Sequence, residues 1–330
     1  MTTRIRGFRA LPAFLAITLF AAFGAVRTYA DTEGHFDRTL SVNGPVDMDV
    51  QTGSGDIVVR PGSSGQVQIH AKIRASGWHV GGDIEQRIHD LETNPPIEQN
   101  GNTIRIGHIE DHERMRNISI SYEVIVPAET KLHSASGSGN ERVEGINGPA
   151  DANSGSGNIT LTNIGAETHA RTGSGDIELS SIRGTVKAST GSGSIHATGI
   201  AGGFTGSSGS GEVRVEQNAP GDVEVGTGSG SVQVKGAKGA VRVQTGSGNI
   251  VAQGQPTGEW KLRTGSGDVD VEFPTDAAYE LYAHTSSGSI HSNQEMTVQG
   301  TISSRELHGK VHGGGALVEL STSSGSIHIR

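Results

Sequence analysis

Residues 172–190 read TGSGDIELSSIRGTVKAST, and this stretch decides the fold. Ile177 and Leu179 stand two apart, as do Val186 and Ala188, which is the alternation of a strand with one face turned inward. Each pair follows or precedes a corner built of Gly and Ser or Thr, here TGSG followed by Asp176. Eleven such corners occur along the chain, each followed by Asp, Asn, Ser or Glu and then, with one exception, by Ile or Val. The glycine before that polar residue falls at Gly55, Gly139, Gly157, Gly175, Gly193, Gly211, Gly230, Gly248, Gly267, Gly288 and Gly325. From Gly139 to Gly267 the steps are 18 or 19 residues; the last two are 21 and 37, the latter read as two turns with one degenerate corner. Self-similarity at so short a period means stacked units.

The apolar residues recur in register. After the corners come Ile159/Leu161, Ile177/Leu179, Ile195/Ala197, Val213/Val215, Val232/Val234, Ile250/Ala252, Val269/Val271 and Ile327/Ile329. Before them come Ala150/Ala152, Thr168/Ala170, Val186/Ala188, Val223/Val225, Val241/Val243, Trp260/Leu262, Leu281/Ala283 and Val318/Leu320. A third column, Ile146, Ile164, Ile182 and Ile200, keeps a spacing of 18. Two short strands and a bend per turn predict an all-β, single-stranded β-solenoid, a β-helix-like rod about 50 Å long at about 4.8 Å per turn. Its corners need glycine for tight reversal and close stacking, Ser and Thr hydroxyls to bond the neighbouring turn, and an Asx-type turn at the following polar residue.

Residues 1–30 read as a signal peptide: Arg4, Arg6 and Arg9, an apolar run from Leu11 to Val26, then Thr28-Tyr29-Ala30. The remaining chain carries 22 basic and 35 acidic residues, a formal charge of −13. This balance argues against nucleic acid and anionic membrane partners. Cysteine is absent, so no disulfide forms and no lipid-anchor cysteine exists. No second apolar segment predicts membrane insertion after cleavage, and the expected address is periplasmic or secreted.

Residues 31–131 are read as an N-terminal cap with the first turns, and 132–330 as the solenoid repeat domain. The step of 84 residues from Gly55 to Gly139 breaks the period, with a short helix expected over Asp83–Leu91 and Ile84, Ile88 and Leu91 on one face. Thr103–Ile106 and Asn117–Val126 read as strands, the latter ended by Pro127.

The order YEVIVPAETKL (122–132), SGSGN (136–140), EGINGP (144–149), repeated TGSGD or TGSGN corners and a closing GGGALVELSTSSGSIHIR (313–330) resembles the bacterial candidate-adhesin family of Gly-rich β-strand repeats. That resemblance implies a β-solenoid-like fold of unknown function in a cell-envelope setting, with no catalytic residues to carry over. Many members carry a membrane segment or partner domains; this chain shows neither.

Solenoid enzymes that act on polysaccharides converge carboxylates from adjacent turns. The acids after the corners are Asp56, Asp176, Asp268 and Glu212, and only Asp268 and Asp270 form a close pair, with Asn249 and Ser289 expected on the flanking turns. Acidic corners occur in four of eleven turns, too few for a calcium ladder. His196, His291 and His328 share the motif GSIH, and a cluster of His291, His308, His312 and His328 is weighed for transition-metal binding. His108–His112 lies in a polar loop. We expect surface imidazoles and solvated turn acids, hence no catalytic, cofactor or metal residues.

From Ser136 to Phe273 the aromatics are Phe204, Trp260 and Phe273, too few for a broad sugar platform. The outward row His133, Asp151, His169, Lys187, Thr205, Glu224, Arg242, Lys261 mixes signs and is no polyanion stripe. The last strand, Ser326–Arg330, is expected to leave an open edge for self-association or a partner. The sequence thus points to an exported, non-enzymatic adhesin or interaction scaffold whose partner is an envelope protein or glycan. Its rivals are a polysaccharide-active enzyme and an envelope-stress or antimicrobial-peptide-binding factor, whose acidic surface would attract cationic peptides.

Overall fold

Each repeat contributes one strand after its corner and one before the next, and these segregate into two sheets facing each other across the aliphatic columns. Sheet I has 14 strands and sheet II has 15. The computed structural model describes residues 32–75, 82–109, 113, 115–298 and 303–330. The signal-peptide reading of residues 1–30 lies outside them.

Ile177–Ile182 lies in sheet I and Thr168–Thr172 in sheet II; the next turn lays Ile195–Ile200 and Val186–Thr190 on them, parallel and in register. Ile159, Ile177, Ile195 and Val213 are successive Cα partners and are at most 1% exposed. Ile146, Ile164, Ile182 and Ile200 are buried as a third column. The interior is therefore a continuous aliphatic stack, and the fold is the expected β-solenoid. The Gly82–Thr93 helix buries Ile84, Ile88 and Leu91 as predicted and packs on the strand Thr32–Ser41.

Stacking, more than turn geometry, dictates glycine at the central corners. Neither Gly157 nor Gly175 lies in the left-handed region, but a Cβ on either would overlap the carbonyl oxygen of the corner below, Gly139 or Gly157. The hydroxyl three residues earlier completes the joint. Thr190 Oγ1 donates to Gly175 O at 2.9 Å and accepts from Gly193 N at 3.1 Å. Ser154, Thr172, Ser208 and Thr227 repeat both bonds. These hydroxyls are buried, so each satisfies a corner carbonyl and a corner amide that water does not reach.

The ends depart from sequence order. The final strand, Ile327–Ile329, lies between Val269–Glu272 and Ile290–Ser292, while Ala316–Ser324 lies between Trp260–Ser266 and Tyr279–Ser287. The 37-residue step is thus a single excursion, not two turns, and corners stack in the order Gly267, Gly325, Gly288. Within the excursion, Thr297–Val298 and Glu306–Val311 form antiparallel strands on the side of Tyr279–Ser287 away from the stack. The expected open edge at Ser326–Arg330 is corrected: that strand is hydrogen-bonded on both sides, and self-association through it loses its basis.

The opposite end is built alike. The first turn, Val46–Thr52 and Ile57–Pro61, is inserted between the Thr130–Ser136/Glu141–Glu144 turn and the strands Thr103–Ile106 and Ile118–Val126. Antiparallel strands then close it: Gln66–Ala75 and Thr32–Ser41 in sheet I, Ile97–Asn100 in sheet II. Antiparallel pairing lets short connections return over an end where another parallel turn would leave a new one open.

Candidate functional site

The acids after the corners belong to a second ladder. Asp56 Oδ1 accepts from Asn140 N at 2.9 Å, Asp176 Oδ1 from Ser194 N at 2.8 Å, and Asp268 Oδ1 from Ser326 N at 2.7 Å. Asn140, Asn158 and Asn249 accept from the next turn in the same way. The expected Asx-type turn within one repeat is replaced by a bond between repeats. An Asp or Asn oxygen serves this role equally, which is why the column mixes them. Glu212 instead pairs with Arg214 at 2.9 Å.

Asp268, just before the strand Val269–Glu272, and Asp270 within it are two apart as read, but their neighbours differ from expectation. Because the last turn is inserted, Ser326 and not Ser289 flanks Asp268 opposite Asn249. Asp270 Oδ1 accepts from His328 Nδ1 at 3.1 Å and from Arg330 at 3.4 Å. The His328 ring stacks on His291, with centroids 5.6 Å apart and planes 12° from parallel. Ser289 Oγ lies 2.9 Å from His291 Nε2. The carboxylate therefore orients one imidazole while the hydroxyl meets the other, and the parts of a nucleophile relay fall on separate rings.

The histidine cluster does not assemble. His291 and His328 are on sheet I, whereas His308 pairs with Glu280 on sheet II at 3.0 Å and His312 bonds Ala277 O at 3.0 Å. His196 lies beside Glu178 and Arg214 on the adjacent strands. Among the described residues no group of three or more His, Cys, Asp or Glu is placed to hold a metal ion. His108 pairs with Asp49 at 3.1 Å, and residues 110–112 of that loop lie outside the described residues.

Along the outward row of sheet II, His133 pairs with Asp151 at 3.5 Å, His169 with Glu167 at 3.1 Å, Arg242 with Glu259 at 3.0 Å and Lys261 with Glu319 at 2.9 Å. Hydrogen bonds from Arg263 and Lys261 hold the Glu319 carboxyl below its ordinary range. Phe204 and Trp260 are core residues, so neither offers a ring to a sugar.

One polar residue escaped the reading. Glu141 is the exception to Ile or Val after the corner, and it sits 1% exposed between Ile57 and Ile159. Burial pushes its carboxyl up to about 7, against hydrogen bonds from Ser134 Oγ and Ser136 N that favour the anion. The broken column was the available signal. Nearby, among the described residues, Tyr122 Oη is buried without a hydrogen-bond partner beside a groove of about 620 Å³, and burial raises its pKa.

No curated protein matches the chain. Among solved structures, a candidate cell adhesion protein from Clostridium sporogenes is 12% identical over 90% of this chain and 99% of that one, with a TM-score of 0.21. A candidate adhesin from Bacteroides fragilis is 12% identical over 90% of this chain and 97% of that one, with a TM-score of 0.29. The family model described as Toastrack DUF4097 matches residues 45–330, which take in every corner from Gly55 to Gly325. The chain belongs to the Toastrack DUF4097 family.

Proposed function

We propose that the chain is an exported, non-enzymatic β-solenoid that serves as an adhesion or interaction scaffold at the bacterial cell envelope. One observation carries this reading: the repeated polar side chains of the corners are committed to bonds between turns, as in Thr190 to Gly175 and Asp176 to Ser194. What the repeat conserves along its length is the rod itself, and what varies is the charge pattern of its outer faces. A rigid support with varied flat faces suits recognition of an envelope protein or a glycan.

The test is saturable binding of the mature chain to envelope fractions and to a glycan panel, beside turnover assays on the same glycans. Binding is expected to fall when outward pairs such as Arg242 and Glu259 are charge-reversed, and to persist in the double variant Asp268→Asn, Asp270→Asn. Glycan turnover abolished by that double variant would replace the scaffold with the enzyme reading. Fractionation of the native cell tests the address; a cytoplasmic protein retaining residues 1–30 would overturn it.

A further inference from the structure

Two seven-residue segments of this chain are identical, TSSGSIH at 285–291 and again at 322–328. Insertion of the last turn lays one on the other in register, so that Thr285 meets Thr322, Ser287 meets Ser324, Ile290 meets Ile327 and His291 meets His328. Among the described residues no other two histidines are partners across a pair of strands. His196, in the third GSIH, stands between Glu178 and Arg214. The four-histidine cluster thus fails to form, yet two of its members lie side by side on the outer face of sheet I, with ring centroids 5.6 Å apart.

The groups behind these rings prepare them for a metal. Asp270, on the far side of His328 from His291, accepts from Nδ1 at 3.1 Å. An ionised carboxylate only accepts, so Nδ1 carries the hydrogen and the lone pair of the neutral ring is on Nε2. Among the described residues Nε2 makes no hydrogen bond, and the side chain is 36% exposed, so a solute can reach it. His291 is exposed, with one nitrogen on Ser289 Oγ at 2.9 Å. A hydroxyl both donates and accepts, so either nitrogen of that ring can present a lone pair. A carboxylate behind an imidazole fixes its orientation and raises its basicity, which is how proteins commonly hold a ligating histidine. Metal–nitrogen bonds of about 2.0–2.1 Å require the two nitrogens within about 4 Å of each other. Rotation of His291, the more exposed ring, supplies that approach while His328 keeps its bond to Asp270. Arg330 shares the carboxylate at 3.4 Å, but its side chain is 66% exposed and its charge is screened.

We propose that His291 and His328 bind a divalent transition-metal ion through His328 Nε2 and one nitrogen of His291, with water completing the coordination. Two imidazoles suit Cu2+, Ni2+ and Zn2+, with Cu2+ held most tightly by the ordinary order of affinities. They do not suit Mg2+, which takes oxygen ligands. Bound there, the ion ties the inserted strand Ile327–Ile329 to Ile290–Ser292, the outermost strand of sheet I at that end. The inference goes beyond the scaffold reading and does not depend on it.

The experiment is calorimetric titration of the full chain with Cu2+, Ni2+, Zn2+ and Mg2+, beside electron paramagnetic resonance of the Cu2+ form and hydrogen exchange with and without Zn2+. The expected result is one site tighter than any other, two nitrogens on Cu2+, and slower exchange at Ile290–Ser292 when Zn2+ is bound. His291→Gln or His328→Gln should weaken that site at least tenfold and leave one nitrogen on Cu2+, whereas His196→Gln should change neither reading. Asp270→Asn should weaken it about tenfold while both nitrogens remain. Each metal-free variant should melt within about 2 °C of the parent, so that lost binding is not lost fold. No binding of any transition ion at about 1 mM, Mg2+ binding as tightly as Zn2+, or full affinity in either glutamine variant overturns the proposal.

Discussion

The central turns and the two ends of this solenoid are made from the same corner, yet they are assembled by different rules. From Gly139 to Gly267 each turn rests on the one that precedes it in the chain, parallel and in register. At the ends the order is broken, with the first and last turns slipped between neighbours and sealed by antiparallel strands. The middle needs only local contacts, because every turn has two equal neighbours. An end turn has one, and would otherwise present a row of free amides and carbonyls beside an open aliphatic interior. Terminal closure is therefore where long-range contacts enter.

The largest effect expected is on the central stack. Gly175→Val puts side-chain atoms into the Gly157 carbonyl, and a loss of about 5 kcal/mol or failure to accumulate soluble protein should follow, read from urea unfolding. A fully stable variant would mean that the corners are not in contact. Deleting Ser326–Arg330 attacks the end instead. It removes Ile327 and Ile329, both buried, and should cost about 4 kcal/mol. Hydrogen exchange should quicken at Val269–Glu272 and Ile290–Ser292 but not at Ile177–Ile182. Equal quickening throughout would show that middle and end unfold as one unit.

Glu141, near the first turn, gives the comparison a pH dependence. Its carboxyl is raised from 4.5 to about 7 in the fold, so between these values the folded chain holds a proton that the unfolded chain has released. Stability from this group is highest at low pH and is lost as pH rises through about 7. Glu141→Gln removes the titration and should be more stable than the parent by about 3 kcal/mol at pH 8, with the two nearly converging at pH 5. A pH-independent difference would contradict this. Thr190→Val, which orphans Gly175 O and Gly193 N, should cost about 2 kcal/mol. The smallest change is expected for Gly226→Ala, whose added methyl meets nothing within 4 Å and should shift stability by no more than about 0.5 kcal/mol.

Much of the molecule was legible because its local code repeats. The spacing of Ile159, Ile177 and Ile195 announces both the strand and the inward face, and the hydroxyl before each corner announces the ladder. The direction of the Asp and Asn bonds was not legible. An Asp after a glycine corner suits an Asx-type turn within its own repeat, and only the neighbouring turn, which presents Ser194 N, decides against it. The same holds for the histidines. His291 and His328 share a motif with His196, yet only the inserted last turn brings those two rings together.

The sequence alone determined the strands, the inward columns and the corner glycines, since period and alternation act over a few residues and need no knowledge of distant chain. It could not determine which corner lies on which at the ends, because Gly267, Gly288 and Gly325 present nearly the same surface and any of them fits on another. Tertiary structure made that choice through the need to cover the last apolar turn, and with it placed Ser326 beside Asp268 and His328 beside Asp270.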